Sequence, residues 1–445
     1  MRSLQVFIDH RLVGTLSEGD DLWTFEYDPL WAAAPDGFDL SPAFPRAQLR
    51  HEDGGTLRPV QWYFDNLLPE ELLRQTVAKE AGIRGEDAFA LLEHLGAESA
   101  GSLTLLAPSQ ALPDEARLQL LSDESLSGRI QALPRQTLAK TSPKRMSLAG
   151  AQHKLLVVIK AGLLYEPEGA TPSTHILKPE HPDVESYPAS VFNEFLTMRL
   201  ARVARLSVPP VAMRHVPQPV YLIERFDRVI DQRSLAGNKD PLAAPSVQRL
   251  HIIDACQLLN KARTFKHVGA SLDALVEVID RTTNKIDTRQ RLFRWLVFNI
   301  LVANDDCHLK NLSFHVRPDG VALAPHYDLL CTGAYHTRAL ADDKAIWDQV
   351  PMAFSLPGAK YFGDVTLTSV LQAAAVLGVP ERVARRVVAE VTTRVASAFE
   401  GLVAEQEARW QTLPKAWAPY AASESRLLRV VQHIILPEML SRLQG

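Results

Sequence analysis

The chain has 445 residues, 46% of them apolar and 22% charged, with a formal net charge of −4. At roughly 100–200 residues per domain, this predicts about two to four domains. The composition excludes a histone-like basic protein, a polyacidic tail protein and a chain disordered throughout. Cys256, Cys307 and Cys331 form no Cys-x-x-Cys pair, so neither a thiolate zinc site nor a disulfide framework is expected, and the sparse count fits a reducing compartment. The opening MRSLQVFIDHR carries no signal-like apolar core. The longest apolar helical run, 292–303, is far short of the roughly 20 residues that span a bilayer. A cytoplasmic chain without membrane contact is expected.

In chain order, 4–9, 12–16 and 23–27 are short strand-like runs separated by turn residues. Pro69 suits a helix start, and the spacing of Leu72, Leu73, Val77 and Ala78 predicts a helix over 70–81, closed by Gly82. A second helix is predicted over 86–95 and a strand over 102–107. The polar stretch 108–145, with Pro113, Pro134 and Pro143, reads as a linker holding one helix at 124–133. Strands at 155–160 and 163–166 flank Ala161-Gly162 as a hairpin, and 175–178 is a third strand. A helix starting near Pro188 places Val191, Phe195 and Met198 on one face. Strands follow at 211–216 and 220–226. From about 246 helices dominate, predicted over 246–259, 271–281, 288–303, 365–377, 381–410 and 423–443. Arg382, Arg385, Arg386 and Arg394 on the fifth of these are read as a solvated face rather than a nucleic-acid stripe.

One segment, NDDCHLKNLSFHVRPDGVALAPHYDL at 304–329, interrupts the helices. It follows a helix apolar nearly all round. Runs 312–316 and 321–324 alternate in apolar character about the turn Arg317-Pro318-Asp319-Gly320, predicting an antiparallel hairpin. Such a hairpin returns Asp328 to the neighbourhood of Asn311, with Asp306 and His308 entering at the same end. Phosphoryl transfer needs a carboxylate to orient the attacking hydroxyl and hard oxygen ligands for Mg²⁺ on the nucleotide phosphates. Asp306 suits the first role; Asn311 and Asp328 suit the second. Upstream, Lys178 ends a strand, Glu194 on the next helix could pair with it, and MSLAGAQHK at 146–154 is a small-residue loop able to approach phosphates. The apolar strand ending Glu224-Arg225-Phe226-Asp227 reads as a connector between lobes. The order of these parts is that of a two-lobed kinase.

The chain resembles the HipA-type serine/threonine kinases, toxins of bacterial toxin–antitoxin pairs. The resemblance rests on Phe64-Asp65-Asn66-Leu67-Leu68-Pro69, on Ser147-Leu148-Ala149-Gly150-Ala151-Gln152 with Lys154, and on Thr174-His175-Ile176-Leu177-Lys178. It continues through Glu224-Arg225-Phe226-Asp227-Arg228, Asp254-Ala255-Cys256-Gln257, Asp306-x-His308-x-Lys310-Asn311 and Tyr327-Asp328. It implies an α+β, two-lobed protein-kinase-like fold, mixed α/β in its N-terminal half and mainly helical in its C-terminal half. Its parts would be an N-terminal α/β subdomain (1–108), a linker (109–145), a nucleotide-binding lobe with the phosphate loop (146–228) and a mainly helical catalytic lobe (229–445).

The resemblance further implies ATP and Mg²⁺ as cofactors. Asp306 would be the catalytic base and His308 its active-site neighbour, with Asn311 and Asp328 as metal ligands. Nucleotide contacts would come from Ser147, Ala149, Gly150, Ala151, Gln152, Lys154, Lys178, Glu224, Phe226, Asp227 and His308. Ser147 would also be the autophosphorylated residue. The implied protein substrate is an aminoacyl-tRNA synthetase, notably the glutamyl enzyme. The implied partner is a small helix-turn-helix, HipB-like antitoxin through which the complex meets operator DNA. His153, Pro179-Glu180 and Ile252 depart from the family pattern, where a glutamate, an apolar residue with proline, and a glutamine are usual. The alternatives are a small-molecule or phosphoinositide-type kinase, a non-enzymatic antitoxin- or DNA-associated module, and a metal-dependent hydrolase using Asp306, His308 and Asp328.

Overall fold

Leu4, Val6 and Ile8 are buried between half-buried neighbours along strand β1 (Arg2–Ile8), the two-residue period of a strand with one face on a core. In the computed structural model, which describes residues 1–236 and 240–444, β1 lies between β2 and β5 in an antiparallel sheet. Its other members are β2 (Arg11–Gly19), β3 (Leu22–Tyr27), β4 (Arg50–Glu52) and β5 (Leu103–Leu106), in the order β4-β3-β2-β1-β5. Phe25, Tyr27, Phe44, Tyr63 and Phe64 fill its inner face with edge-on and tilted rings. The Tyr27 hydroxyl donates to Phe44 O at 2.7 Å, which lets a polar tip sit in that core.

This sheet belongs to the first of two units, which comprises Met1–Lys178, Leu222–Phe265 and Ser313–Ala322. The same unit holds β6 (Ala116–Leu120), β7 (Leu155–Lys160), β8 (Leu163–Gly169) and β9 (His175–Pro179), in the order β9-β7-β8-β6. The predicted hairpin of β7 and β8 is present, with Val158 opposite Tyr165 and Lys160 opposite Leu163. A third sheet pairs Ile252–Asp254 with Ser313–Arg317, and Gly320–Leu323 follows as its edge.

Two expectations require correction. The stretch 109–145 holds the expected helix, Asp123–Gln131 capped by Ser122, but it also carries a strand: β6 pairs with β8, Leu120 opposite Tyr165. Only Leu118 of β6 turns inward, against Val158 and Tyr165, so the strand had no alternation to reveal it. The helix expected over 246–259 is two strands, Val247–Arg249 and Ile252–Asp254, with helix only at Ala255–Leu258. β-branched Ile252 and Ile253 suit the pairing with His315 and Phe314, and Asp254 with Gln257 forms the capping box that starts the short helix.

A buried charge cluster ties the first unit together. Glu98 lies 3.2 Å from Arg225, 3.0 Å from Arg228 and 3.1 Å from Lys144. Asp227 pairs with Arg225 at 2.6 Å and Arg228 at 3.0 Å and accepts the Gly101 N–H at 2.7 Å. Burial alone would raise both carboxyls. The surrounding cations outweigh it, holding Glu98 well below the carboxylate range and Asp227 at about 2.

The second unit comprises Pro179–Tyr221, Lys266–Leu312 and the chain from Leu323 onward. It is mainly helical. Lys285–Leu301 and Ser190–Val203 pack against the long helix Glu381–Thr412. Asn284 caps Lys285–Leu301, accepting the Asp287 N–H, and Phe293 and Trp295–Leu301 are buried on every side of it. The predicted C-terminal helix begins earlier, at Ala418, and runs to Gln444 through a π turn at Val431–Ile435. Two short strands, Pro351–Leu356 and Ala359–Tyr361, were not foreseen. No helix among the described residues is long and apolar enough to cross a membrane.

Candidate active site

In the second unit the site begins where the buried helix Lys285–Leu301 ends. Ala303 turns the chain with φ +50°, and a series of linked amides shapes the loop from Asn304 to Asn311. The Asn299 side chain donates to Trp295 O at 2.8 Å, and Asn304 Nδ2 donates to Asn299 Oδ1 at 2.7 Å. Asn304 Oδ1 then accepts the Asp306 N–H at 3.1 Å, and Thr332 Oγ1 accepts the Asp305 N–H at 2.8 Å. These bonds satisfy the backbone donors of Asp305 and Asp306 and leave the Asp306 residue exposed on the rim.

The loop continues with His308 N–H donating to Asp306 O at 2.9 Å. Asn311 Nδ2 donates to that same carbonyl at 2.8 Å. That bond fixes the amide plane and turns Asn311 Oδ1, the hard oxygen donor, away from Asp306 O. The Tyr327 hydroxyl donates to Lys310 O at 2.9 Å, tying the residue before Asn311 to the residue before Asp328. Asn193 grips the chain just beyond, donating to Cys331 O at 3.1 Å and accepting the Cys331 N–H at 2.8 Å. Asp328 itself has φ +57°, a left-handed conformation that Asp and Asn tolerate better than most residues.

Asn311 Oδ1 and the Asp328 carboxylate are oxygen donors of the type Mg²⁺ takes, so the residues fit that ion. The structure groups His267, rather than Asp328, with Asp306 and His308: their ligand-type atoms lie within 4.8 Å of one another, and the two imidazoles meet edge to face at 4.7 Å. Burial, and then Asp306 and Asp305, push the Cys307 thiol far above the usual range, which disfavours its thiolate. Tyr221 is fully buried in the field of both Glu194 and Asp328.

The first unit assembles the remaining candidates. The loop 146–154 is docked on the N-terminal segment. Ser147 N–H donates to Glu98 O at 2.7 Å, Ser147 Oγ donates to Leu67 O at 2.6 Å, and Glu70 N–H donates to Gly150 O at 3.1 Å. Gly150 has φ +109°, a backbone conformation that side-chain-bearing residues rarely adopt, so the turn favours glycine. Lys154 closes the loop on itself by donating to Ala149 O at 2.9 Å. Ala151 is exposed and Gln152 half-buried. Lys178 is buried at the end of β9. Glu224 and Phe226 are half-buried, with Phe226 edge-on to His315 at 6.0 Å. Asp227 stands apart from the other candidates, because its carboxylate is committed to the ion cluster with Arg225, Arg228 and Gly101. Ile252 is a paired strand residue opposite His315.

His267 lies in no motif and at no diagnostic spacing of the sequence, and it reaches the site from a separate chain segment; Tyr221 is legible there only as the start of the connector strand.

A carboxylate on a hydrogen-bonded loop followed by two oxygen donors is a donor set that phosphoryl transfer can use. The family model described as HipA-like C-terminal domain matches residues 146–399, and that described as HipA N-terminal domain matches residues 4–106. The chain is 31% identical to the serine/threonine-protein kinase toxin HipA of Shewanella oneidensis, over 75% of this chain and 76% of that one. It is 34% identical to the putative kinase Y4mE of Sinorhizobium fredii, over 75% and 78%. Among solved structures, HipA from the Shewanella oneidensis complex of HipA, HipB and operator DNA aligns with a TM-score of 0.74 and 25% identity, covering 98% of this chain and 99% of that one. The chain belongs to the HipA family of serine/threonine-protein kinases, and its α+β fold is theirs.

Proposed function

We propose that this kinase transfers the γ-phosphoryl group of ATP to a Ser or Thr hydroxyl of an aminoacyl-tRNA synthetase. Asp306 accepts the hydroxyl proton as the oxygen attacks phosphorus, and the ADP oxygen leaves with the electron pair. Asn311 and Asp328 hold Mg²⁺, which neutralises charge on the phosphates when bound. Lys178 and the loop 147–154 contact the phosphates, and Glu224 and Phe226 offer backbone to the adenine. The observation that supports this reading is the pair of bonds from Asn311 Nδ2 to Asp306 O and from the Tyr327 hydroxyl to Lys310 O, which tie together the segments carrying the proposed base and oxygen donors. The synthetase as substrate, and a HipB-like antitoxin linking the complex to operator DNA, are supported by the family resemblance and by the composition of the Shewanella complex.

Ser147 is the autophosphorylation site in this reading. Its hydroxyl, 1% exposed and bonded to Leu67 O, must leave the docked loop before it can take a phosphoryl group. A phosphate adds about −1.5 to −2 charge and cannot return to a position that donates to a carbonyl. The modification therefore holds the loop away and lowers ATP affinity.

The test is labelled ATP with a panel of synthetases, comparing the native chain with Asp306→Asn. Label is expected on a synthetase Ser or Thr, falling about 10² or more in the variant, the scale of general-base contributions, with Mg-ATP binding retained. Full activity in Asp306→Asn would remove Asp306 from the role. Label on lipid or a metabolite and on no synthetase would favour a small-molecule kinase.

A further inference from the structure

A cleft of about 550 Å³ opens in the second unit between the helices Lys285–Leu301 and Glu381–Thr412. No step of the phosphoryl transfer uses it. Four arginines line it: Arg205, Arg291, Arg294 and Arg386. Only two carboxylates, Asp287 and Glu390, face them, leaving an excess of two positive charges.

Three of the arginines are held in place. Arg291 donates to Leu323 O at 2.8 Å and to Ala324 O at 2.7 Å. Arg294 donates to Ala204 O at 3.1 Å and pairs with Glu390 at 2.8 Å, and Arg205 meets the same carboxylate at 3.0 Å. A guanidinium has five N–H donors, so each keeps donors beyond these bonds. Because the forks are already ordered, little side-chain entropy remains to be lost when an anion arrives. Arg386 is exposed and makes no ion pair among the described residues.

His326 supplies an independent observation. Its side chain lines the cleft and is 2% exposed. Its main chain is fixed, the N–H donating to Ser207 O at 2.7 Å, and the ring stacks on Trp295. An imidazole at this place can donate or accept a hydrogen bond toward a molecule in the cleft.

We propose that this cleft binds a small soluble diphosphate-bearing molecule. The excess positive charge attracts a polyanion, the forked donors match phosphate oxygens, and the volume lies in the range of small-molecule sites. His326 completes the ligand's hydrogen bonding from the cleft floor. The Arg291 anchors and His326 lie in the five residues leading into Asp328, so the site is continuous in chain with a metal-ligand candidate.

The test is calorimetric titration of the full chain with inorganic pyrophosphate, without Mg²⁺, in a Lys178→Ala background that disables phosphate contact at the nucleotide site. Binding is expected to persist there and to weaken about tenfold or more on adding Arg386→Glu, the scale of one charge-assisted contact. Arg386 is exposed, so this variant folds; His326→Phe, checked by thermal melting, should weaken binding further than His326→Gln. The proposal is overturned if pyrophosphate fails to bind the Lys178→Ala protein at about 5 mM, a concentration weaker than small-molecule sites of this kind, or if Arg386→Glu leaves the affinity unchanged.

Discussion

Ser147 and Leu67, 80 residues apart in sequence, share a 2.6 Å hydrogen bond that buries the hydroxyl of the phosphate loop against the N-terminal segment. Together with the Ser147 N–H on Glu98 O, it makes the loop part of the core of the first unit. Loop position is therefore coupled to segments that carry none of the phosphate-contacting candidates.

Ser147→Ala should lower stability by about 1–3 kcal/mol, because it strands the buried Leu67 carbonyl. Chemical denaturation measures this. In the same protein, mass spectrometry after incubation with Mg-ATP should find no phosphate on 147–154. Unchanged stability would show that the loop is not held by this bond.

Glu98→Gln should cost about 3–5 kcal/mol, since it leaves Lys144, Arg225 and Arg228 buried around a neutral group. Because the Glu98 backbone also receives Ser147, limited proteolysis should cut first within 140–154 in this variant. Native-like denaturation would count against the cluster as the tie between these segments.

Asp328→Asn is expected to fold normally, because Asn accepts the left-handed backbone at φ +57°. It keeps an oxygen but loses the charge, so Mg²⁺-dependent ATP affinity should fall about tenfold or more. Metal-free nucleotide binding should change little. Equal losses with and without Mg²⁺ would place Asp328 outside the metal site.

Glu180 sits where the family pattern expects no carboxylate. Burial raises its pKa to about 7, although Ser190 Oγ donates to it at 2.7 Å. Its unfolded value is about 4.3, so between these values the folded state binds more protons than the unfolded one. Stability should then fall as pH rises from about 4.3 to about 7 and level off above. Glu180→Gln preserves the acceptor for Ser190 and the Val191 N–H but cannot ionise. Thermal melting at pH 5, 6 and 7 should show a flatter profile in this variant than in the native chain; parallel profiles would refute the assignment.

Much of the fold was legible because it is local. The alternation of Leu4, Val6 and Ile8, the Ala161-Gly162 hairpin and the apolar helix before residue 304 each declare themselves within about ten residues, the span over which periodicity operates. The order of loop, strand lysine, helix glutamate and Asp-x-His-x-x-Asn likewise survives as linear text. Strand β6 and the strand Ile252–Asp254 did not, since each is a strand only by virtue of a distant partner, β8 in one case and Ser313–Arg317 in the other.

The sequence by itself determined the chemistry available: a carboxylate, two oxygen donors, a strand lysine and a glycine suited to φ +109°. Only the tertiary structure decided how those groups are held. It set Asn311 against Asp306 O, tied Tyr327 to Lys310, brought His267 beside His308, and committed Asp227 to a buried ion cluster. The physical reason is that residue type limits what a side chain can donate or accept, whereas its partner is chosen by packing between segments that no local pattern connects.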